Sequence, residues 1–541
     1  MSPHRKASIL RFRISNDVLF SILEYLDPPS LWRACKAFRR IYSLAMDYQS
    51  LRYKYELAVS GMKDGLVPYS TAPPISRLQL LLSYRKGWLE LAWTHEHRLQ
   101  ISSPAQVGSS GGFVHQIHSH GPFSTVEISE LPSCRKNRPP ALTRHLKFTT
   151  SVVDRVVVDL VEVLIVTAQI FSHQGQIGVQ LHFRDLWSFA KHPRARALTY
   201  EFSSPISANT AIVRMTFLVC GSKLAVSLEL SGGRFKHLIL NWLNFDARWL
   251  DDQDIQFLDE TYLFGVASIS VVREFELPET WSNTIVKFLP NSSPRSDISQ
   301  SSDALFYAAP ETRVFAISST PAAISHSGYY PMNWLFLKES YFRFPSRKDG
   351  FRVSWRQWGR YCLIKEIDVP PSAIRGPCVV GTKVFYVENA LAHSSRSPTP
   401  SSRSTRLRVI DFSPFAEPDE FPRGWTFVGP RASLFPIESR RSIPSSSVDG
   451  LPVEGLDATE DNVILFLESR QGHQSVNVLT FVCSPATICT REPDALRKVL
   501  FKESIKTTWN LIGRLCQKQF AGICAPGCLN DILIGIVTDS D

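Results

Sequence analysis

The chain has 541 residues, 44% of them hydrophobic, with 60 Lys+Arg, 50 Asp+Glu and ten cysteines. That length allows three or four domains, or one large closed β architecture. A formal charge of +10 admits nucleic acid, an anionic membrane or an acidic protein as a partner, and does not choose among them.

The position of the charge is more informative. Residues 1–100 hold 15 basic and 8 acidic side chains, a balance of +7, leaving 45 against 42, or +3, for the other 441. Cysteines scattered singly suit a reducing compartment better than a disulfide scaffold, so a cytoplasmic and/or nuclear location is expected. Arg11, Arg13, Asn16 and Asp17 interrupt any secretory h-region. The longest stretch without Lys, Arg, Asp or Glu, 314–337, contains Pro321, Pro331 and His326, so no membrane span is expected.

The first hundred residues read as helical. Ile14, Val18, Leu19, Ile22, Leu23 and Leu26 repeat at three-and-four spacing. Ser15 is placed to cap this helix. It must stop near Asp27-Pro28-Pro29, because proline lacks an amide donor and restricts the residue before it. Ser30 is placed to cap a second helix carrying Leu31, Ala34, Cys35, Phe38 and Ile41 inward. Further helical spacing appears at Leu51, Tyr55, Val59 and Met62, and after Pro73-Pro74 at Leu78, Leu81, Leu82, Arg85, Leu89 and Trp93.

The stretch ISNDVLFSILEYLDPPSLWRACKAFRRI is similar to the F-box pattern, and LRYKYELAVSGMKDG with RLQLLLSYRKGWLELAW looks like the continuation found in many fungal F-box proteins. Ile14-Ser15 stands where that family usually has leucine-proline, and the span from Leu31 to Cys35 is about three residues shorter than usual. The resemblance implies a substrate-recognition subunit of an SCF-type ubiquitin ligase, docked on a Skp-type adaptor and through it on cullin and RING subunits. Carried over position by position, it implies an adaptor face, or the support of one, at Ile14, Val18, Leu19, Ile22, Leu23, Leu26, Leu31 and Phe38. Residues 1–54 hold ten basic and four acidic side chains, which complements an adaptor that the resemblance implies is acidic.

From about Gly111 the period turns strand-like. VEVLIVTAQI (161–170), SKLAVSLEL (222–230), TYLFGV (261–266), TKVFYV (382–387) and NVILFL (462–467) are each followed by a second such run, at 177–183, 237–243, 269–275, 406–412 and 475–481. Unit markers at Val163, Leu224, Tyr262, Leu305, Phe342, Val384 and Val463 include four spacings near 40 residues, the length of a four-stranded blade. The expected fold is therefore mainly β with an N-terminal all-α module: F-box helices at 10–54, a helical linker at 55–110, and a β-propeller of about seven blades at 111–541. A pair of β-sandwiches is the alternative. Ser/Pro/Arg-rich stretches at 291–302, 392–406 and 438–448 are expected as mobile loops, and 132–147 as a basic connector.

No G-x-S-x-G, phosphate-binding G-x-x-x-x-G-K, G-x-G-x-x-G or H-E-x-x-H motif occurs. His115, His118 and His120 read as an exposed loop cluster, and His95 with His97 as residues splayed by a helix. Cys516, Cys524 and Cys528 do not fit a structural zinc spacing. No catalytic residue, metal or cofactor is expected. The partners expected are the Skp-type adaptor and an unknown protein substrate; nucleic acid is disfavoured because the β portion is nearly neutral. The competing readings are a non-ligase protein-interaction scaffold and a propeller hydrolase, for which acids such as Asp159, Asp246, Asp411 and Asp461 would have to converge.

Overall fold

The computed structural model describes residues 14–481 apart from internal stretches, the longer being 136–143, 266–275, 291–303, 322–331, 342–353, 368–372, 390–404, 413–424 and 428–435. Two compact units result: residues 14–59 with 69–81, and residues 60–68 with 82–481.

The first unit begins with four short helices, α1 (Asn16–Glu24), α2 (Pro28–Ala37), α3 (Arg39–Asp47) and α4 (Gln49–Val59). Ser15 caps α1 as expected, its Oγ accepting the Val18 amide at 3.3 Å. The cap of α2 is Asp27 rather than Ser30: its carboxylate accepts the Ser30 amide at 2.9 Å. Pro28 and Pro29 then occupy the first turn, where a missing N–H costs nothing. The expected second helix is in fact two, because Phe38 adopts an extended backbone between α2 and α3. Leu23, Leu31, Cys35, Ile41, Leu44, Ala45 and Leu51 form the core. Arg40 ties α3 to the start of α1 through Ile14 O (2.6 Å) and Asn16 Oδ1 (2.9 Å). Lys54 donates to the carbonyls of Glu24 and Leu26 at the C-terminal end of α1, where a cation also suits the helix dipole. A further helix, α5 (Pro74–Glu90), passes into the second unit at Leu82.

The second unit is a β-propeller of six blades. Blades 1, 2 and 3 are four-stranded antiparallel sheets over 105–151, 155–207 and 212–250, each made of consecutive strands. Blade 4 takes strands from 284–367 and a fifth, Trp425–Phe427, from an insertion in blade 5, which covers 374–442. Blade 6 joins Val453–Ala458, Asn462–Arg470 and His473–Thr480 to His95–Gln100 from the other end of the unit. Between blades 3 and 4 lies a two-stranded ribbon, Ile255–Phe257 with Leu263–Gly265.

The count of six corrects the expected seven. The marker Leu305 does not define a blade, since it precedes a short strand paired with Met62–Asp64, and Phe342 and Tyr262 lie outside the described residues. Blade 1 carried no marker, since its FVHQIHSH and FSTVEISE strands alternate with polar residues. For the same reason the 55–110 stretch is not wholly helical; His95–Gln100 and Ala105–Ser110 are strands. Residues 437–442, expected in a mobile loop, form the outer strand of blade 5.

Side-chain ties cross the seam between blades 6 and 1. Ser109 on the inner strand of blade 1 bonds Asp457 on that of blade 6. Arg135, in the stretch expected as a basic connector, is buried and bidentate on Asp461, Nε to Oδ1 at 3.0 Å and Nη2 to Oδ2 at 2.9 Å. It also pairs with Glu460 and donates to Phe306 O. Burial pushes the Asp461 carboxyl up, but the Arg135 charge and donors from Arg135, Ser133 and Cys134 outweigh it and hold the group below its usual range. Replacing Asp461 with Ala should destabilise the propeller by about 3–5 kcal/mol, since it removes the bidentate partner of a buried guanidinium and leaves Glu460 to compensate it. A depressed carboxyl contributes stability above its unfolded value of about 3.9, a contribution lost as pH falls through the lower folded value. Urea unfolding of wild type at falling pH should therefore show an acid loss that Asp461→Ala lacks.

Candidate functional site

Two surfaces stand out, one in each unit. On α1, the residues expected to form an adaptor face separate into two sets. Leu23 and Leu31 are buried, and Leu19, Leu26 and Phe38 are half-buried against the same core. Ile14, Val18 and Ile22, 39%, 53% and 49% exposed, run along the other side with Tyr25 at 91%. Val18, Ile22 and Tyr25 follow one side of the helix at i, i+4 and i+7 spacing, and Ile14 precedes its cap. Arg33, Lys36 and Arg39 are exposed on α2 and α3. The sequence period marked all these positions as apolar-face residues, but only burial shows which ones the unit uses itself.

In the propeller, the inner strands surround a channel of about 710 Å³. Residues 82–90 of α5 pack against blades 5 and 6. Trp88 stacks on Phe481 (centroids 3.8 Å) and meets Phe385 edge-on, and the Tyr84 hydroxyl donates to Glu460 O at 2.5 Å. One end of the channel, where the inner strands begin, opens beside Gln106, Arg155 and Arg214.

Most charges lining the channel are paired. Lys287 bonds Glu229 at 2.7 Å, Arg313 bonds Glu339 at 3.1 Å, and Arg135 holds Asp461 and Glu460. The acids considered for hydrolysis do not converge. Asp159 lines the channel and accepts the Glu162 amide, Asp461 is held by Arg135, Asp411 lies 3.4 Å from Lys383, and Asp246 is exposed on the outer strand of blade 3. His115, His118 and His120 are on a strand rather than in a loop. His115 is buried with its ring against Gly108, while His118 and His120 lie near the surface. His95 and His97 are exposed on the strand completing blade 6, where alternation puts them on one side. No group of three or more His, Cys, Asp or Glu that could hold a metal occurs among the described residues, and Cys516, Cys524 and Cys528 lie outside them.

Among the channel groups that titrate away from their ordinary values are Asp254 and His115. Burial pushes Asp254 up to about 6, against amide donors from Phe288 and Ile255 and the charges of Lys287 and Arg214. Burial and the Arg155 charge pull His115 down to about 4. Their linkages have opposite sign. Between about pH 4 and 6 folded Asp254 holds more protons than the unfolded chain, so its contribution falls as pH rises. Between about pH 4 and 6.5 folded His115 holds fewer, so its contribution rises with pH. Asp254→Asn should raise stability at pH 7.5 by up to about 2–3 kcal/mol relative to wild type. At pH 4 it should give little or no gain; guanidinium unfolding at both pH values reads the difference.

No family model matches the chain, and no curated protein matches it. Among solved structures it is similar to the WD40 domain of SCAP from fission yeast (TM-score 0.33, 8% identity, covering 72% of this chain and 98% of that one). It is also similar to the WD40 domain of Toxoplasma gondii coronin (0.33, 8%, 73% and 88%) and to the β-propeller domain of the Trilobed protease from Pyrococcus furiosus (0.31, 7%, 69% and 95%). The sheet order itself defines the fold: a six-bladed β-propeller accompanied by a short N-terminal helical module.

Proposed function

We propose that this chain is the non-catalytic substrate-recognition subunit of an SCF-type cullin-RING ubiquitin ligase. In this reading the F-box-like helices dock a Skp-type adaptor and the propeller holds a protein target. The observation that carries it is the exposed stripe of Val18, Ile22 and Tyr25, with Ile14 just ahead of the cap, on a helix whose other apolar residues already have their own core. An apolar stripe at helical spacing is the form of a helix-in-groove contact, and the exposed Arg33, Lys36 and Arg39 nearby favour an acidic partner and faster encounter. Such a receptor works by proximity, raising the local concentration of target lysines near a ubiquitin-charged enzyme, and needs no catalytic group of its own. A propeller scaffold that joins proteins without a ligase is the second reading, favoured by the channel's carboxylates being tied up in ion pairs and hydrogen bonds.

The two readings separate on α1. Val18→Asp and Ile22→Asp place charges on the exposed stripe and should abolish capture of a purified Skp-type adaptor, at least about tenfold in affinity each, while leaving the melting temperature within a few degrees of wild type. Leu23→Asp should unfold the helical unit instead, because Leu23 is 2% exposed. Absence of adaptor capture by folded wild-type chain would leave the scaffold reading.

A further inference from the structure

We propose that the open end of the propeller channel, among blades 1, 2 and 3, docks a short peptide segment carrying an unmodified carboxylate beside a bulky apolar side chain. This rests on the propeller being the target-holding part of the proposed receptor, and it is independent of the face on α1.

A cavity of about 460 Å³ opens there, large enough for a few residues of a peptide. Its polar end is built from equivalent places in neighbouring blades. Arg155 begins the inner strand of blade 2, and Arg214 lies near the start of that of blade 3; both line this cavity and the channel below it. Arg155 spends one nitrogen on Gln106 Oε1 (2.8 Å) and the Asp154 carbonyl (3.0 Å), which fixes the guanidinium and leaves its other N–H groups. Arg214 is exposed, and although its charge is felt by Asp254 below, it makes no close ion pair or hydrogen bond with another described residue. Deeper in the channel, by contrast, Arg135, Lys287 and Arg313 are already matched by carboxylates. Positive charge is therefore left for a ligand at the mouth.

The apolar end is preset. Phe171 lies across the strand pair from Gly178, where a Cβ would come within 2.4 Å of the ring, so the ring rests flat over the glycine. Val213, next to Arg214, is 65% exposed. A ligand spanning these groups buries apolar surface while a planar carboxylate meets the guanidinium groups, a charge-assisted geometry. Asp154 lines the same cavity, its Oδ2 accepting the Ile170 amide at 2.6 Å. Its fixed charge opposes a dianionic phosphate more strongly than a monoanionic carboxylate, which decides for the unmodified acid.

The test uses the full chain and fluorescence anisotropy with pools of labelled hexapeptides of mixed flanks: Leu-Glu at the centre, with Leu-Gln, Ala-Glu and Leu-phosphoserine pools for comparison. The Leu-Glu pool should bind at least about tenfold more tightly than the other three, and Arg214→Ala and Arg155→Ala should each remove about tenfold. Gly178→Ala, which displaces Phe171 and leaves both arginines in place, should weaken binding severalfold with the propeller's melting transition retained. Equal binding of Leu-Glu and Leu-Gln pools, tighter binding of the phosphoserine pool, indifference to Arg214→Ala, or binding of no pool overturns the proposal. Adaptor capture by the same Arg214→Ala protein is read separately, so failure of the mouth and failure of the α1 reading are distinct results.

Discussion

A ring of sheets has no stable partial form of its own geometry: each inner strand needs a blade on both sides, and the first and last blades must find each other. Here that closure is made by His95–Gln100, which pairs along its whole length with His473–Thr480. Arg135 on Asp461 and Ser109 on Asp457 lock the same seam from within. Blades 6 and 1 also share an apolar core, with Val114 packed among Ile464, Val476 and Val478. The channel and its open mouth exist only once this seam is shut.

The sequence was legible where a strand is buried on both faces. The runs at 161–170, 222–230, 382–387 and 462–467, and their partners, mark the two central strands of blades 2, 3, 5 and 6. Such strands have apolar neighbours above and below, so they read as unbroken apolar runs. Inner and outer strands face a polar channel or solvent on one side. AQVGSS and VEGLDA, which line the channel, carry too few apolar residues to register as strands. Blade 1 shows this throughout, and blade 4 hid its count differently, because long insertions separate its strands and its fifth comes from blade 5.

The functional surfaces divide in the same way. Helical period located the apolar positions of α1 well, but period alone cannot separate a side chain that supports a face from one that forms it; Leu23 and Ile22 are adjacent in sequence and opposite in burial. The channel mouth had no sequence signal at all. Arg155, Arg214 and Phe171 come from separate blades or separate strands, and nothing in their local spacing foretells that a closed ring brings them to one cavity. The basic excess that the composition placed in the first hundred residues is not the whole charge pattern, because the nearly neutral propeller sets Arg155 and Arg214 together at one end of its channel.

The strand that shuts the ring also sets a schedule. His473 lies 378 positions after His95, and at roughly 5–20 residues per second on the ribosome the completing strand waits on the order of tens of seconds for its partner. Throughout that interval HEHRLQ is an unpaired edge. Glu96 and Arg98, set between His95, His97 and Gln100, are the kind of charged and polar residues that keep a lone edge from pairing with a neighbouring chain. The strand is thus suited to waiting as well as to closing, and its polar character, which concealed it in the sequence, protects the nascent chain.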